Sequence, residues 1–501
     1  VRPSLTISLA VAALLLAPLS SLADATLRVA APFEIVSPDP TVSGSIFTRM
    51  GVAETLVEVD AEGRLTPGLA TAWEVSADGL TWRFAIRDGV AFHDGTPLTA
   101  AATAGALEIA RAKPGLLDRA PITAIAAGDG AVVVTLSAPF AALPAFLAEY
   151  RSQILAPASY GADGAATSVI GTGPYRIETL TPPQSLTATA HAGYWGPAPT
   201  IADVAYTAVG RAETRALMAE SGDAEFVYAL DPATVTRLRG SDEVTVHAAP
   251  IPRSLLLKVN AAHPFLDSAE ARRALSLAID RQGLAQAVLR YPEGADQLFP
   301  PSVAGWHSDA LEPLAHDPDE ARRLLAGLGW TPGADGVLER DGRRFELTLT
   351  TYPDRPELPL AAAVLEQMFR AVGVALTIDS TNSSEIPARH AAGTLELGLL
   401  ARNFALVPDP IGTILQDYAP TGDWGAMGWE NAAFVDLANR IARGEAGAAA
   451  RAEAAAILQA DLPVIPIAWY QQTLAASNRV AGAAIDPWER SFGLSAIRWA
   501  D

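Results

Sequence analysis

The side chains that perform covalent chemistry are present in this chain but never in a working arrangement. Seven histidines are scattered through 501 residues. Neither His93 nor His390 has a second metal-ligating side chain at the four-residue spacing that would put two donors on one helix face. There are no cysteines, which removes disulfides, thiolate nucleophiles and thiolate-held metal. No HExxH, GxSxG or GxxxxGK run occurs. Gly171-Thr172-Gly173 begins like a dinucleotide loop, but the third glycine is missing and Pro174 follows, so it reads as a turn. These residues point to a protein that holds a molecule and does not convert it. They call for no enzyme activity, no cofactor and no side-chain metal site.

Charge narrows the partners. The chain has 36 Lys and Arg against 56 Asp and Glu, a net charge of −20. Nucleic-acid binders carry a basic stripe, and none is visible, so nucleic acid is excluded as a partner. Acidity keeps a protein soluble and apart from its copies but does not reveal its ligand.

The elements that must position a binding site follow from length and pattern. A single core stops growing at roughly 250–300 residues, so two or more lobes are expected. Half of the residues are hydrophobic and 18% are charged, a globular composition. The first residues stand apart. Arg2 precedes an apolar run over residues 5–19, and small residues follow at Ser21-Leu22-Ala23, with Ala23-Asp24-Ala25 as a second cleavage choice. The run is too short for a permanent membrane helix. Residues 1–23 read as a cleaved secretory signal. With no Cys behind it, a lipid anchor is not expected, and the mature protein is placed free in the periplasm.

Residues 26–30 alternate like a strand, and apolar residues at helical spacing predict a helix over 47–57. Residues 73–76 form a strand and Asp78-Gly79 a turn. Trp82, Phe84 and Ile86 then fall on one face of a second strand. Thr99 caps an Ala-rich helix running to about residue 113. Asp129-Gly130 turns into a strand over 132–136. Strands are predicted over 171–177, 185–190 and 255–260, and a helix over 231–238 with Pro232 in its first turn. Asp267, with Glu270 three residues on, predicts the next helix start. Asp317-Pro318 starts another helix, ended by Gly327 and Gly329. A strand over 345–351, a helix over 358–372 closed by Gly373, and a strand over 374–379 imply parallel pairing. A late helix over 446–460 precedes a strand over 464–469. No repeat period is found.

Residues 68–100 read GLATAWEVSADGLTWRFAIRDGVAFHDGTPLTA. This stretch resembles the signature of the peptide/nickel class of ABC-importer solute-binding proteins, family 5. The matching places are Trp73, Ser76, Asp78, Gly79, Thr81, Trp82, Phe84, Ile86, Arg87, Val90, Phe92, Asp94, Gly95 and Pro97. IGTGPY at 170–175, YWG at 194–196, and 260–281 with Pro264-Phe265 and Ala278-Ile279-Asp280-Arg281 are similar to the same family in the same order. The signature itself reads as structural, since Asp-Gly turns and alternating aromatics build hairpins.

The resemblance implies an α/β fold: a two-lobed periplasmic binding protein of the Venus-flytrap, class II type with an extra α+β domain in the first lobe. Lobe 1 would take residues 24–57, 171–258 and 473–501, the inserted domain 58–170, and lobe 2 259–472. It implies a monomer that closes on a small molecule and delivers it to ABC importer permease subunits in the inner membrane. In the peptide branch an Asp stands three positions before the Asp/Glu-Pro pair and holds the peptide amine. Here that place is Leu406, ahead of Asp409-Pro410. The segments 297–303, 321–330 and 336–345 look more like the nickel branch, which holds a chelated metal between aromatic walls and arginines. On that resemblance the ligand-binding residues are Arg151, Asn403, Phe404, Asp409 and Trp424, and the solute is a metal chelate or small carboxylate-bearing molecule. The nickel branch's direct histidine has no counterpart in residues 421–431. The alternative solute is a peptide, its amine held by Asp409 or Asp417, and a further alternative is a sensor or chaperone that uses the same clamp without an importer.

Overall fold

The computed structural model describes residues 26–500, apart from 116, 304, 354, 405–406 and 419–423. The predicted secretory signal and Leu406 lie outside the described residues, as does the start of the 421–431 loop. Among the described residues no helix is long and apolar enough to cross a membrane.

One ten-stranded sheet runs through the molecule. Its order is Ala375–Ser380, Glu346–Thr351, Leu397–Asn403, Val244–Val259, Val464–Ser477, Phe226–Tyr228, Leu27–Ala31, Asp203–Ala208, Ser185–Ala190 and Tyr175–Thr181. The two central strands are 16 and 14 residues long. They pair antiparallel from Val244↔Ser477 to Lys258↔Val464, and their register slips between Pro250 and Ser254. Pro250 and Pro252 cannot donate to a ladder, so the pairing loosens there. This is the two-lobed α/β architecture expected. The parallel pairing of Glu346–Thr351 with Ala375–Ser380 across helix Glu357–Ala371 is present.

A separate four-stranded sheet holds Ala70–Val75, Thr81–Ile86, Ala131–Leu136 and Ile122–Gly128. Trp82, Phe84 and Ile86 face its core as the alternation predicts. Asp129 and Gly130 both take left-handed backbone, φ 46° and 73°, the geometry of a tight hairpin. Thr99 caps helix Ala100–Arg111 by accepting from Ala102 N.

The signature motifs meet at Glu54. Its carboxylate accepts from Thr172 Oγ1 at 2.7 Å, Trp195 Nε1 at 3.0 Å and Tyr194 OH at 3.2 Å. Arg87 of the hairpin stacks 4.1 Å above the Trp195 ring. A Cβ on Gly171 would lie 2.1 Å from Val52 O, so only glycine permits the close approach of the two backbones.

Three local expectations are corrected. The first helix is Pro40–Arg49, not 47–57: Asp39 caps it by accepting from Thr41 N, and Pro40 opens it. Ser268, not Asp267, caps helix Ala269–Leu277. The strand expected from Gly171 begins at Tyr175, because 171–173 lie against the backbone at 51–53.

Candidate binding crevice

Charged side chains from distant parts of the chain converge beside the crossing strands. Register places Arg253 of the first crossing strand directly opposite Asn403. Both side chains therefore reach the same group, the Glu489 carboxylate. Arg253 Nη2 and Asn403 Nδ2, the latter at 3.2 Å, donate to its Oε2. Glu489 sits in a turn that Asp486 builds by accepting from the backbone N–H of Trp488, Arg490 and Ser491 at 2.8–2.9 Å. The turn forces Glu489 to φ 56°, an uncommon conformation for a non-glycine residue. Arg49, the last residue of the first helix, donates through Nε to the Glu489 carbonyl at 2.9 Å. Its guanidinium stacks 4.4 Å from the Phe33 ring centre. Arg490 donates to Ala148 O and pairs with Glu58 at 3.3 Å. A small polar space lies among Arg49, Tyr150, Asn403, Trp488, Glu489 and Arg490.

The cluster continues into a larger cavity. The Tyr470 ring lies between two guanidiniums, Arg253 at 5.1 Å and Arg355 at 5.6 Å. Tyr470 in turn borders a cavity of about 470 Å³. Leu230, Val235, Tyr291 and Glu357 wall it, with Gln472 from the second crossing strand. Within this crevice Tyr470 borders the larger cavity, and its neighbour Arg253 binds Glu489, which lines the polar space. Four of its buried polar atoms have no hydrogen-bond partner: Glu489 Oε1, Arg253 Nε, Arg490 Nε and Glu357 Oε1. Leaving a buried charged group unsatisfied costs on the order of 1–3 kcal/mol, so a ligand or an ordered water at these atoms would be stabilising.

The sequence-expected residues are divided by the structure. Asn403 lies in the crevice. Arg151 is engaged by Glu149, Nε to Oε1 at 3.0 Å, and it is the neighbouring Tyr150 that lines the polar space. Phe404 is fully buried, its ring 4.9 Å from Phe299, and belongs to the core. Asp409 accepts from Ile411 N and pairs with Arg451 at 3.1 Å beside an open surface groove. Trp424 is partly buried against the main core. Asp417 is fully buried and held by Arg402, with Nη2 to Oδ1 at 2.6 Å. Arg49, Arg253, Glu357, Tyr470, Glu489 and Arg490 were missed. Arg253 carried a usable signal, a charge inside the apolar run at 251–259.

Comparison with known proteins agrees with this architecture. The profile of bacterial extracellular solute-binding proteins, family 5, matches residues 64–424. The chain belongs to that family. The glutathione-binding protein GsiB of Escherichia coli (strain K12) is 30% identical over 292 residues, 56% of this chain and 57% of the relative. The chain thus matches only a little over half the length of that relative. Among solved structures, NikA from Brucella suis in complex with Fe(III)-EDTA superposes with a TM-score of 0.87 at 22% identity, covering 95% of this chain and 100% of that one. The oligopeptide-binding protein AppA from Bacillus subtilis, in complex with a nonapeptide, gives 0.80 at 17% identity over 95% and 99%. At such identities these structures establish the fold.

Proposed function

We propose that the protein is the periplasmic receptor of an ABC importer, which captures a small carboxylate-bearing solute in this crevice and passes it on unaltered to permease subunits. One observation carries the reading: three arginines, Arg49, Arg253 and Arg490, converge from remote segments beside a buried carboxylate, with unpartnered polar atoms left over. Guanidiniums suit carboxylates because their donors form a planar fork. The lobes are residues 24–57, 171–258 and 473–501 against 259–472, with 58–170 as the inserted domain. The hinge is placed at the register slip at Pro250–Ser254 and the facing part of the second crossing strand, a few residues before the boundary at 258 that the sequence suggests. Closure follows from contacts the solute makes only when both lobes surround it. The cargo is held without bond making, so no enzyme activity is assigned.

A metal chelate fits this reading if the metal arrives fully wrapped. Among the described residues no group of three or more His, Asp or Glu side chains could hold an ion. The name of GsiB and the unpartnered Glu489 and Glu357 oxygens favour a second reading, a peptide-like solute that supplies donors. Mass spectrometry of the solute that co-purifies, followed by titration of that solute, tests the proposal. Arg49→Gln should weaken its binding about tenfold or more, as expected for a hydrogen bond to charge. Undiminished affinity in that variant would count against the crevice. A thermal-shift series with nickel–histidine and with glutathione separates the two solute classes, since saturation a hundredfold above Kd stabilises by about 2.7 kcal/mol.

A further inference from the structure

Along the chain His93 has no metal-binding partner at helical spacing, but the fold supplies one. The rings of His93 and His191 meet edge-on, 4.9 Å between centres and 69° between planes. The glycine-rich segment at 171–174 holds both. His93 donates its backbone N–H to Gly171 O at 2.9 Å, and His191 donates its own to Pro174 O at 2.8 Å. His93 Nε2 meets Gly173 O at 2.9 Å. A carbonyl only accepts, so the proton sits on Nε2 and leaves Nδ1 a bare lone pair. His93 is 9% exposed, and this Nδ1 has no hydrogen-bond partner. His191 Nε2 is likewise buried and unpartnered. Gly193 keeps room beside it, since a Cβ there would lie 3.1 Å from that nitrogen. Neither histidine lines the crevice.

We propose that His93 Nδ1 and His191 Nε2 are the protein ligands of one divalent transition ion of the zinc, nickel and copper class, in a site separate from the solute crevice. Imidazole suits all three ions. A ligating histidine characteristically donates its other ring N–H to a backbone carbonyl or carboxylate, as His93 does to Gly173. Metal–nitrogen bonds of about 2 Å at a tetrahedral angle set two imidazole centres about 5 Å apart. The ring separation here matches that spacing. The positive charge of Arg176, which acts on both rings, is offset by Glu178 at 2.6 Å, and Asp94 adds negative charge beside His93. Ala192 and Gly193 are exposed, so water reaches this turn and completes the ion's shell. The ion fastens the segment that carries His93 to the turn that follows strand Ser185–Ala190.

Titration of the metal-stripped full protein with Zn2+, followed by calorimetry, should show one equivalent bound. The absence of cysteine keeps competing soft donors few. His191→Ala should weaken binding by at least the roughly tenfold that loss of an orienting partner alone costs. Paramagnetic resonance of the Cu2+-loaded protein should count two imidazole nitrogens in wild type and one in His191→Ala. Gly193→Ala crowds Nε2 while both histidines stay in place, and it should also lower the affinity. An unchanged melt of stripped His191→Ala shows that a ligand was lost and not the fold. Where that melt changes, Gly193→Ala decides, and undiminished affinity in it overturns the proposal. So does a wild type that binds no Zn2+, a single nitrogen in its Cu2+ spectrum, or binding that survives in His191→Ala.

Discussion

Two carboxylates in this molecule sit in enclosed places and are treated in opposite ways. Glu54 is ringed by three donors from two signature motifs, and both of its oxygens are satisfied. Glu489, in the crevice, is more deeply buried, held in a left-handed turn, and keeps one oxygen without a partner. A satisfied enclosed carboxylate rigidifies its surroundings, whereas an unsatisfied one is tolerated only where something else completes it. The signature residues Thr172, Tyr194 and Trp195 thus brace Glu54. The residues proposed to meet the solute, Arg49, Arg253, Asn403 and Glu489, lie apart from that junction.

The difference predicts which changes cost stability and which cost binding. The largest effect belongs to the Glu54 junction. Gly171→Ala would drive a methyl to within 2.1 Å of Val52 O, where neither partner is a flexible side chain. Overpacking of backbone on backbone should destabilise by about 2–4 kcal/mol in urea unfolding. A loss under about 1 kcal/mol would mean the junction is looser than its geometry.

In the crevice the pattern reverses. Arg49 reaches Glu489 only through a carbonyl, and removing its charge leaves no carboxylate stranded. Arg49→Gln should therefore change unfolding stability by less than about 1 kcal/mol while the solute affinity falls. If stability fell as far as in Gly171→Ala, the contrast between the two regions would collapse.

The fold was more legible in the sequence than the site, for physical reasons that particular residues show. Asp78-Gly79, Asp129-Gly130 and the alternation at Trp82, Phe84 and Ile86 are local signals, and each gave its element. The long crossing strands were legible only in part, because Pro250, Pro252, Gln471 and Gln472 interrupt their apolar runs. The first helix was placed too late because its start lies in a Pro- and Ser-rich stretch, with apolar spacing only near its end. The crevice joins Arg49 to Glu489 across 440 positions. No spacing rule reaches that far, and the resemblance supplied Asn403 while drawing in Phe404, which the core absorbs.

The most discriminating effect is a change of slope. Enclosure raises Glu54 from an ordinary 4.5 to about 7, against the pull of Trp195, Thr172 and Tyr194. The folded protein therefore holds an extra proton between about 4.5 and 7. This contribution to stability is complete below 4.5 and is lost as pH rises through 7. Nearby, burial lowers His93 from 6.5 to about 4, although its ring nitrogen meets Gly173 O at 2.9 Å. Its contribution is complete above 6.5 and is lost as pH falls through 4. The two slopes oppose each other over about pH 4.5–6.5, so the wild type should be nearly flat there with respect to this pair. Glu54→Gln removes only the falling slope. Its stability should then climb with pH over that window, by up to about 1.4 kcal/mol per pH unit, while His93→Asn should decline by a similar amount. Parallel profiles for wild type and Glu54→Gln would show that Glu54 is solvated like a surface carboxylate. The distinction between a completed and a waiting carboxylate would then fail on its completed side.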